Sequence, residues 1–159
     1  MGRLLIPLYL LDKKVLDKPC FYISDFFERN REAYYEALDR ARTTNDLIHW
    51  ICLFLEATIY TAQNAKEKFK KVVALVSQYQ NQVISMPGKS ENNLSILRTF
   101  YEAPIQTGMD VVAKVSISKT TVDKALKEML RLGILTEITG YSKFRKYMLN
   151  EYVKIFNQE

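Results

Sequence analysis

Ser116-Ile117-Ser118-Lys119-Thr120-Thr121-Val122-Asp123-Lys124-Ala125-Leu126-Lys127-Glu128-Met129-Leu130-Arg131-Leu132-Gly133 is the stretch that decides the fold. Ser116-Ile117-Ser118 is a polar turn, and the Ser118 hydroxyl can accept an orphan amide as a helix N-cap. Val122, Leu126, Met129 and Leu130 then recur at helical spacing on one face, and Gly133 supplies the C-terminal stop. Just upstream, Leu94, Leu97 and Phe100 predict one short helix that ends before Pro104, because the residue before a proline is pushed out of helical geometry. Met109, Val112 and Val115 predict a second. Downstream, Ile134 to Ile138 reads as a strand, Thr139-Gly140-Tyr141-Ser142 as a turn and Phe144 to Leu149 as a returning strand. Helix, helix, turn, helix and hairpin, in that order, make a winged helix-turn-helix.

Working back toward the N-terminus, Pro, Gly, Ser and Asn gather in Ser85-Met86-Pro87-Gly88-Lys89-Ser90-Glu91-Asn92-Asn93, which predicts a boundary between a region 1–87 and a region 88–159. The first region reads as helical. Arg3 to Lys14 is apolar with Pro7 near its start; Ser24 can cap a short helix carrying Phe26 and Phe27; Arg31 to Arg42 carries Tyr34, Tyr35 and Leu38. Asn45 can cap a further segment, one long helix or two, from about residue 46 to about 85. In it Leu47, Trp50, Ile51, Phe54 and Leu55 share one side, and Phe69, Val72, Val73, Val76, Tyr79 and Val83 form an amphipathic stripe. The expected fold class is mainly α: a helical bundle followed by a winged helix with a small β-hairpin.

Composition narrows the function. The chain has 159 residues, 48% of them hydrophobic, and a net charge of +5; this is a globular profile, not a disordered one. One histidine and two cysteines, Cys20 and Cys52, cannot build a Cys/His zinc site, and no metal ligands are expected. Neither a Gly-rich phosphate loop nor a G-x-S-x-G elbow is present. The apolar run LLIPLYLL is short, and LIHWICLFLEATIY is broken by His49 and Glu56, so no membrane span is expected. With two cysteines and no secretory leader pattern, the expectation is a reduced, cytoplasmic protein.

Charge is concentrated in the winged helix. Residues 114–146 hold eight Lys and Arg against three Asp and Glu, a surplus equal to that of the whole chain. Lys119, Thr120, Thr121, Lys124, Lys127 and Arg131 fall on the outward side of the third helix, and Lys143, Arg145 and Lys146 on the hairpin. Basic residues on a recognition helix and wing are what phosphate contact requires. Asp123 and Glu128 on the same helix oppose it, and no Arg or Asn stands early in the helix for bidentate base reading. Contact with a partner protein is the alternative use of this fold.

Met1-Gly2-Arg3-Leu4-Leu5-Ile6-Pro7-Leu8 resembles the end of the signature of the Fic/Doc family, H-x-F-x-[D/E]-G-N-[G/K]-R-x-x-R, which in many members runs on into G-R-L-L-I-P-L. Met1 and Gly2 would hold the variable positions and Arg3 the final arginine. Tyr22 to Tyr35, then Trp50-Ile51 with Phe54-Leu55, resemble the helices that come next in that family. Gly133-Ile134-Leu135, Gly140, Arg145 and Tyr147 resemble its C-terminal winged helix.

The resemblance implies a parent enzyme that transfers AMP from ATP to protein hydroxyls with Mg²⁺, acting on a target protein, and implies that Arg3 meets the nucleotide's terminal phosphates or an inhibitory glutamate. The family's catalytic His, metal-binding acid and anion nest precede the position of Arg3. The expectation is therefore a C-terminal portion with no catalytic residue, inactive alone and holding no cofactor. His49, beside Trp50 in an apolar helix, does not replace the missing base.

Two further readings stand beside this one: a stand-alone winged-helix DNA-binding regulator with a helical dimerisation module, and a protein–protein module. With 10 Tyr, 8 Phe and 1 Trp the aromatic load is high. Leu4, Leu5, Leu8 and Leu11 are expected to be exposed and to favour a homodimer.

Overall fold

The computed structural model describes residues 2–17, 22–140 and 144–157, with side chains from Leu5 onward in the first helix. The fold is mainly α with one small antiparallel sheet. Two compact units divide at Glu67 and Lys68.

The first unit holds α1 (Gly2–Asp12), α2 (Ile23–Arg29), α3 (Arg31–Thr44) and the first half of α4 (Leu47–Ile84). Ser24 lies inside α2, one residue past its start, and Tyr22 occupies the N-cap position without a side-chain bond. Asn45 ends α3 in the left-handed conformation, at φ 56°. The residue that caps α4 is Asp46, whose Oδ1 accepts the His49 amide at 3.2 Å. The second correction has a physical cause. Asn tolerates the left-handed region and serves a C-terminus as well as an N-terminus, so in Asn45-Asp46 the two residues divide the work.

Ile23, Phe26, Phe27 and Ala57 are buried, with Ile6, Tyr34, Trp50, Leu53 and Phe54 packed around them. The Phe27 ring lies 4.8 Å from Tyr34 and 5.8 Å from Trp50 between centroids. The inward stripe of α4 is therefore Trp50, Leu53, Phe54 and Ala57, while Leu47, Ile51 and Leu55 are exposed. A helix apolar on both sides offers two stripes of the same period, and periodicity alone does not choose between them.

The second unit begins within α4, whose last turns contribute Tyr79 and Val83 to its core, joined by Met86. Phe69 and Val73 of the expected stripe are exposed. The chain turns between α4 and α5 (Ser90–Glu102), where the sequence places its boundary, and Gly88 takes φ +104° there. By packing, however, the end of α4 belongs with α5 and the rest of the second unit.

Then come β1 (Ile105–Thr107), α6 (Gly108–Lys114), α7 (Lys119–Arg131), β2 (Thr136–Glu137), β3 (Lys146–Met148) and α8 (Asn150–Asn157). The strands lie in the order β1-β3-β2, with Ile105 and Thr136 both opposite Met148. Strand β1 and helix α8 go beyond the expected elements, and the resulting order is that of a winged helix-turn-helix with a three-stranded sheet.

Strand β2 starts two residues later than expected for a physical reason. Gly133, at φ +72°, donates its amide to the Leu130 carbonyl, and Ile134 and Leu135 donate theirs to the Met129 carbonyl. This is a Schellman-type closure of α7. It engages the amides of 134 and 135, whose side chains are buried.

The core is formed by Ile96, Leu97 and Phe100 of α5, Val111 of α6, Val122, Leu126 and Met129 of α7, and Ile134, Leu135 and Leu149. In α6 the buried residue is Val111, and Met109 is exposed. Phe100 is fully buried at the centre of this cluster. Phe100→Ala is expected to cost about 3–5 kcal/mol, read as a lowered midpoint in urea unfolding.

Candidate nucleic-acid interface

Two capped helices set the presentation of α7. Thr107 and Asp110 form a reciprocal capping box at the start of α6: the Thr107 hydroxyl accepts the Asp110 amide at 3.2 Å, and Asp110 Oδ2 accepts the Thr107 amide at 2.8 Å. The Thr107 amide and, at 2.8 Å, the Thr107 hydroxyl both donate to this charged carboxylate and hold the Asp110 pKa below its usual value. A Cβ at Gly108 would meet Leu126 Cδ1 at 3.4 Å, so the start of α6 sits close against α7. The Ser118 hydroxyl accepts the Thr121 amide and caps α7.

With Val122, Ala125, Leu126 and Met129 buried, Lys119, Thr120, Asp123, Lys124, Lys127 and Arg131 are exposed. These cations are not equivalent. Lys119, Lys124 and Lys127 make no ion pair among the described residues. Arg131 is held by Glu128, with Nε 3.0 Å from Oε1; the bond lowers the pKa of Glu128 and raises that of Arg131. On the hairpin, Arg145 Nη1 lies 3.5 Å from Glu137 Oε2, across the strand pair, while Lys146 is exposed on β3. Thr121 is half-buried with its hydroxyl 2.8 Å from that of Ser118, and the Thr120 hydroxyl is 3.2 Å from the same atom. Both threonines thus share in the cap.

Lys114, at the end of α6, donates to the Oε1 of Gln106 at 3.3 Å, and buried Gln106 donates to the Thr99 hydroxyl at 2.8 Å. This polar bridge ties α6 and β1 to α5, and the sequence carried no periodic sign of it. Lys143 lies outside the described residues, as does the side chain of Arg3.

His49 is half-buried in the first turn of α4 beside Trp50. Among the described residues no group of three His, Cys, Asp or Glu could hold a metal ion, and no helix is long and apolar enough to cross a membrane. Leu5 and Leu8 are 66% and 59% exposed, whereas Leu11 is half-buried and the Leu4 side chain lies outside the described residues. Ile48 at 75% and Ile59 at 58% add exposed apolar surface on α4 that was not expected.

No family model matches the chain. It is 26% identical over 149 residues to the RecBCD enzyme subunit RecB of Buchnera aphidicola subsp. Schizaphis graminum (strain Sg). The aligned stretch is 89% of this chain but 13% of that relative, so the chain spans a small part of the protein it matches.

Ser118→Ala removes the cap of α7 and is expected to cost about 1 kcal/mol in urea unfolding. Asp110→Ala is expected to lower the melting temperature in neutral solution and to leave it close to the parent's in strong acid. A carboxylate with a depressed folded-state pKa stabilises above its unfolded value, and that contribution is lost as pH falls through the folded one. A melting difference that persists unchanged in strong acid would contradict the assignment of the charge-assisted cap.

Proposed function

We propose that the chain is the C-terminal part of a Fic-type protein AMP transferase and that its winged helix binds duplex DNA. The second half of this reading rests on one observation: α7 packs its apolar face inward, with Val122, Ala125, Leu126 and Met129 buried and Leu130 half-buried, and leaves Lys119, Lys124 and Lys127 exposed and without ion-pair partners among the described residues. Lys146 on β3 adds a fourth exposed cation on the wing. Cations not engaged within the fold are the ones available to displace counterions from phosphate. Arg131 and Arg145, each engaged by a carboxylate, contribute less. The absence of a bidentate base reader early in α7 favours backbone contact over strong sequence preference.

The Fic-type half rests on the residues from Arg3 to Trp50 that resemble that family; Phe27, Tyr34 and Trp50 among them form one aromatic cluster. The likeness to RecB neither favours nor opposes it. On this reading the chemistry of AMP transfer lies in segments that precede Arg3 in the family. The purified chain, incubated with labelled ATP, Mg²⁺ and lysate, is expected to label no protein; robust labelling above background would contradict this.

The exposed leucines of α1 and isoleucines of α4 support self-association, since a monomer rarely leaves so many large apolar side chains uncovered. Light scattering is expected to show a mass that rises with concentration. A monomeric mass at high concentration would contradict it.

For DNA, duplex binding is expected at low salt and release as salt rises. Lys124→Ala is expected to weaken binding uniformly across sequences and to reduce the slope of log affinity against log salt by about 1. Failure to bind any duplex at low salt would overturn the DNA reading and favour an acidic protein surface as partner.

A further inference from the structure

Phe144 is 81% exposed, more than any other large apolar side chain among the described residues. It stands at the start of the returning arm of the wing, immediately before Arg145 and Lys146. Its backbone takes φ +57°, in the left-handed region that a bulky aromatic residue rarely adopts. Its ring joins neither hydrophobic core and makes no aromatic contact among the described residues.

The adjoining segment, toward the C-terminus, is well anchored. The Ile138 amide donates to the Lys146 carbonyl at 3.1 Å, the Lys146 amide donates to the Thr139 hydroxyl at 3.2 Å, and Tyr147 pairs with Glu137. A firmly held hairpin arm thus presents an exposed ring in a strained conformation, outside both hydrophobic cores of the described residues. Strain of this kind persists where function uses it.

We propose that Phe144 is a wedge that enters a groove of duplex DNA and stacks against the bases, while the neighbouring cations hold the phosphates. The proposal rests on the DNA reading of the winged helix. The occupant is set by charge complementarity: a polyanion answers the surplus positive charge of residues 114–146, and a polyanion that also offers flat apolar faces is a nucleic acid. Apolar wedges placed between base steps by a cationic protein are an established way of gaining contact with bent duplex. Stacking on an aromatic ring needs no particular base, which suits a recognition helix without a bidentate base reader.

Fluorescence anisotropy of a labelled duplex, titrated with the intact chain at low and raised salt, tests this with three variants. Phe144→Ala is expected to weaken binding about tenfold and to leave the salt slope unchanged, since no charge is lost. Phe144→Trp is expected to retain affinity and to show emission quenching on DNA, with the parent protein, whose one tryptophan is Trp50, as the blank. Lys124→Ala reports on the underlying DNA reading.

If Phe144→Ala binds as tightly as the parent while Lys124→Ala is weakened, the wedge is overturned and the DNA reading stands. If no protein binds duplex at low salt, both fall. A lowered melting temperature for Phe144→Ala would mean that the ring packs on the protein, and would also overturn the proposal.

Discussion

The burial of one face of α7 is the constraint on which the rest of the winged helix depends. Val122, Ala125, Leu126 and Met129 meet Phe100, Val111 and Leu149 in a single core. Apolar burial of this kind is worth about 1.5–3 kcal/mol for each large side chain, far more than any exposed ion pair on the same helix. The core therefore fixes the rotation of α7, and the rotation decides which lysines face outward. The caps from Thr107, Asp110 and Ser118 fix where α6 and α7 begin. The Schellman closure at Gly133 fixes where α7 ends and hands the chain on to β2.

The basic residues of 114–146 separate into two sets. Arg131 is engaged by Glu128 and Arg145 by Glu137 within the protein. Lys119 and Lys127 stand four residues from Asp123, and Lys124 four from Glu128, yet none of the three makes an ion pair among the described residues, and they form the outward charge of the helix. Net charge alone counts all of these residues alike; the side-chain contacts show which of them a phosphate could recruit without first breaking a pair.

Much of the architecture is legible in the amino-acid pattern, and the reasons differ from element to element. Helix α7 is legible because its cap, stripe and glycine stop agree, and such agreement between levels is what makes a segment readable. Strand β1 is not, because three residues after Pro104 carry no alternation to detect; the strand exists through its pairing with β3. In α4 the first-unit stripe is ambiguous because apolar residues lie on both sides, and packing with Ile23, Phe26 and Phe27 of α2 selects Trp50, Leu53 and Phe54 for the interior.

Among the site residues, the basic ones are visible in the sequence. The Ser118 contacts that draw Thr120 and Thr121 into the cap, and the Gln106 bridge to Lys114, are not, because they depend on side-chain geometry that spacing does not encode. The exposed, strained Phe144 reads in the sequence only as one more apolar residue of a strand.

Backbone and methyl NMR of the intact chain, titrated with a short duplex at low salt, tests most directly whether the outward face of α7 and the wing form the contact surface. Shifts confined to residues 119–127 and 144–146 are expected, with α5 and α8 unmoved. Shifts on α5 and α8 instead, or no shift anywhere at saturating duplex, would contradict this contact surface.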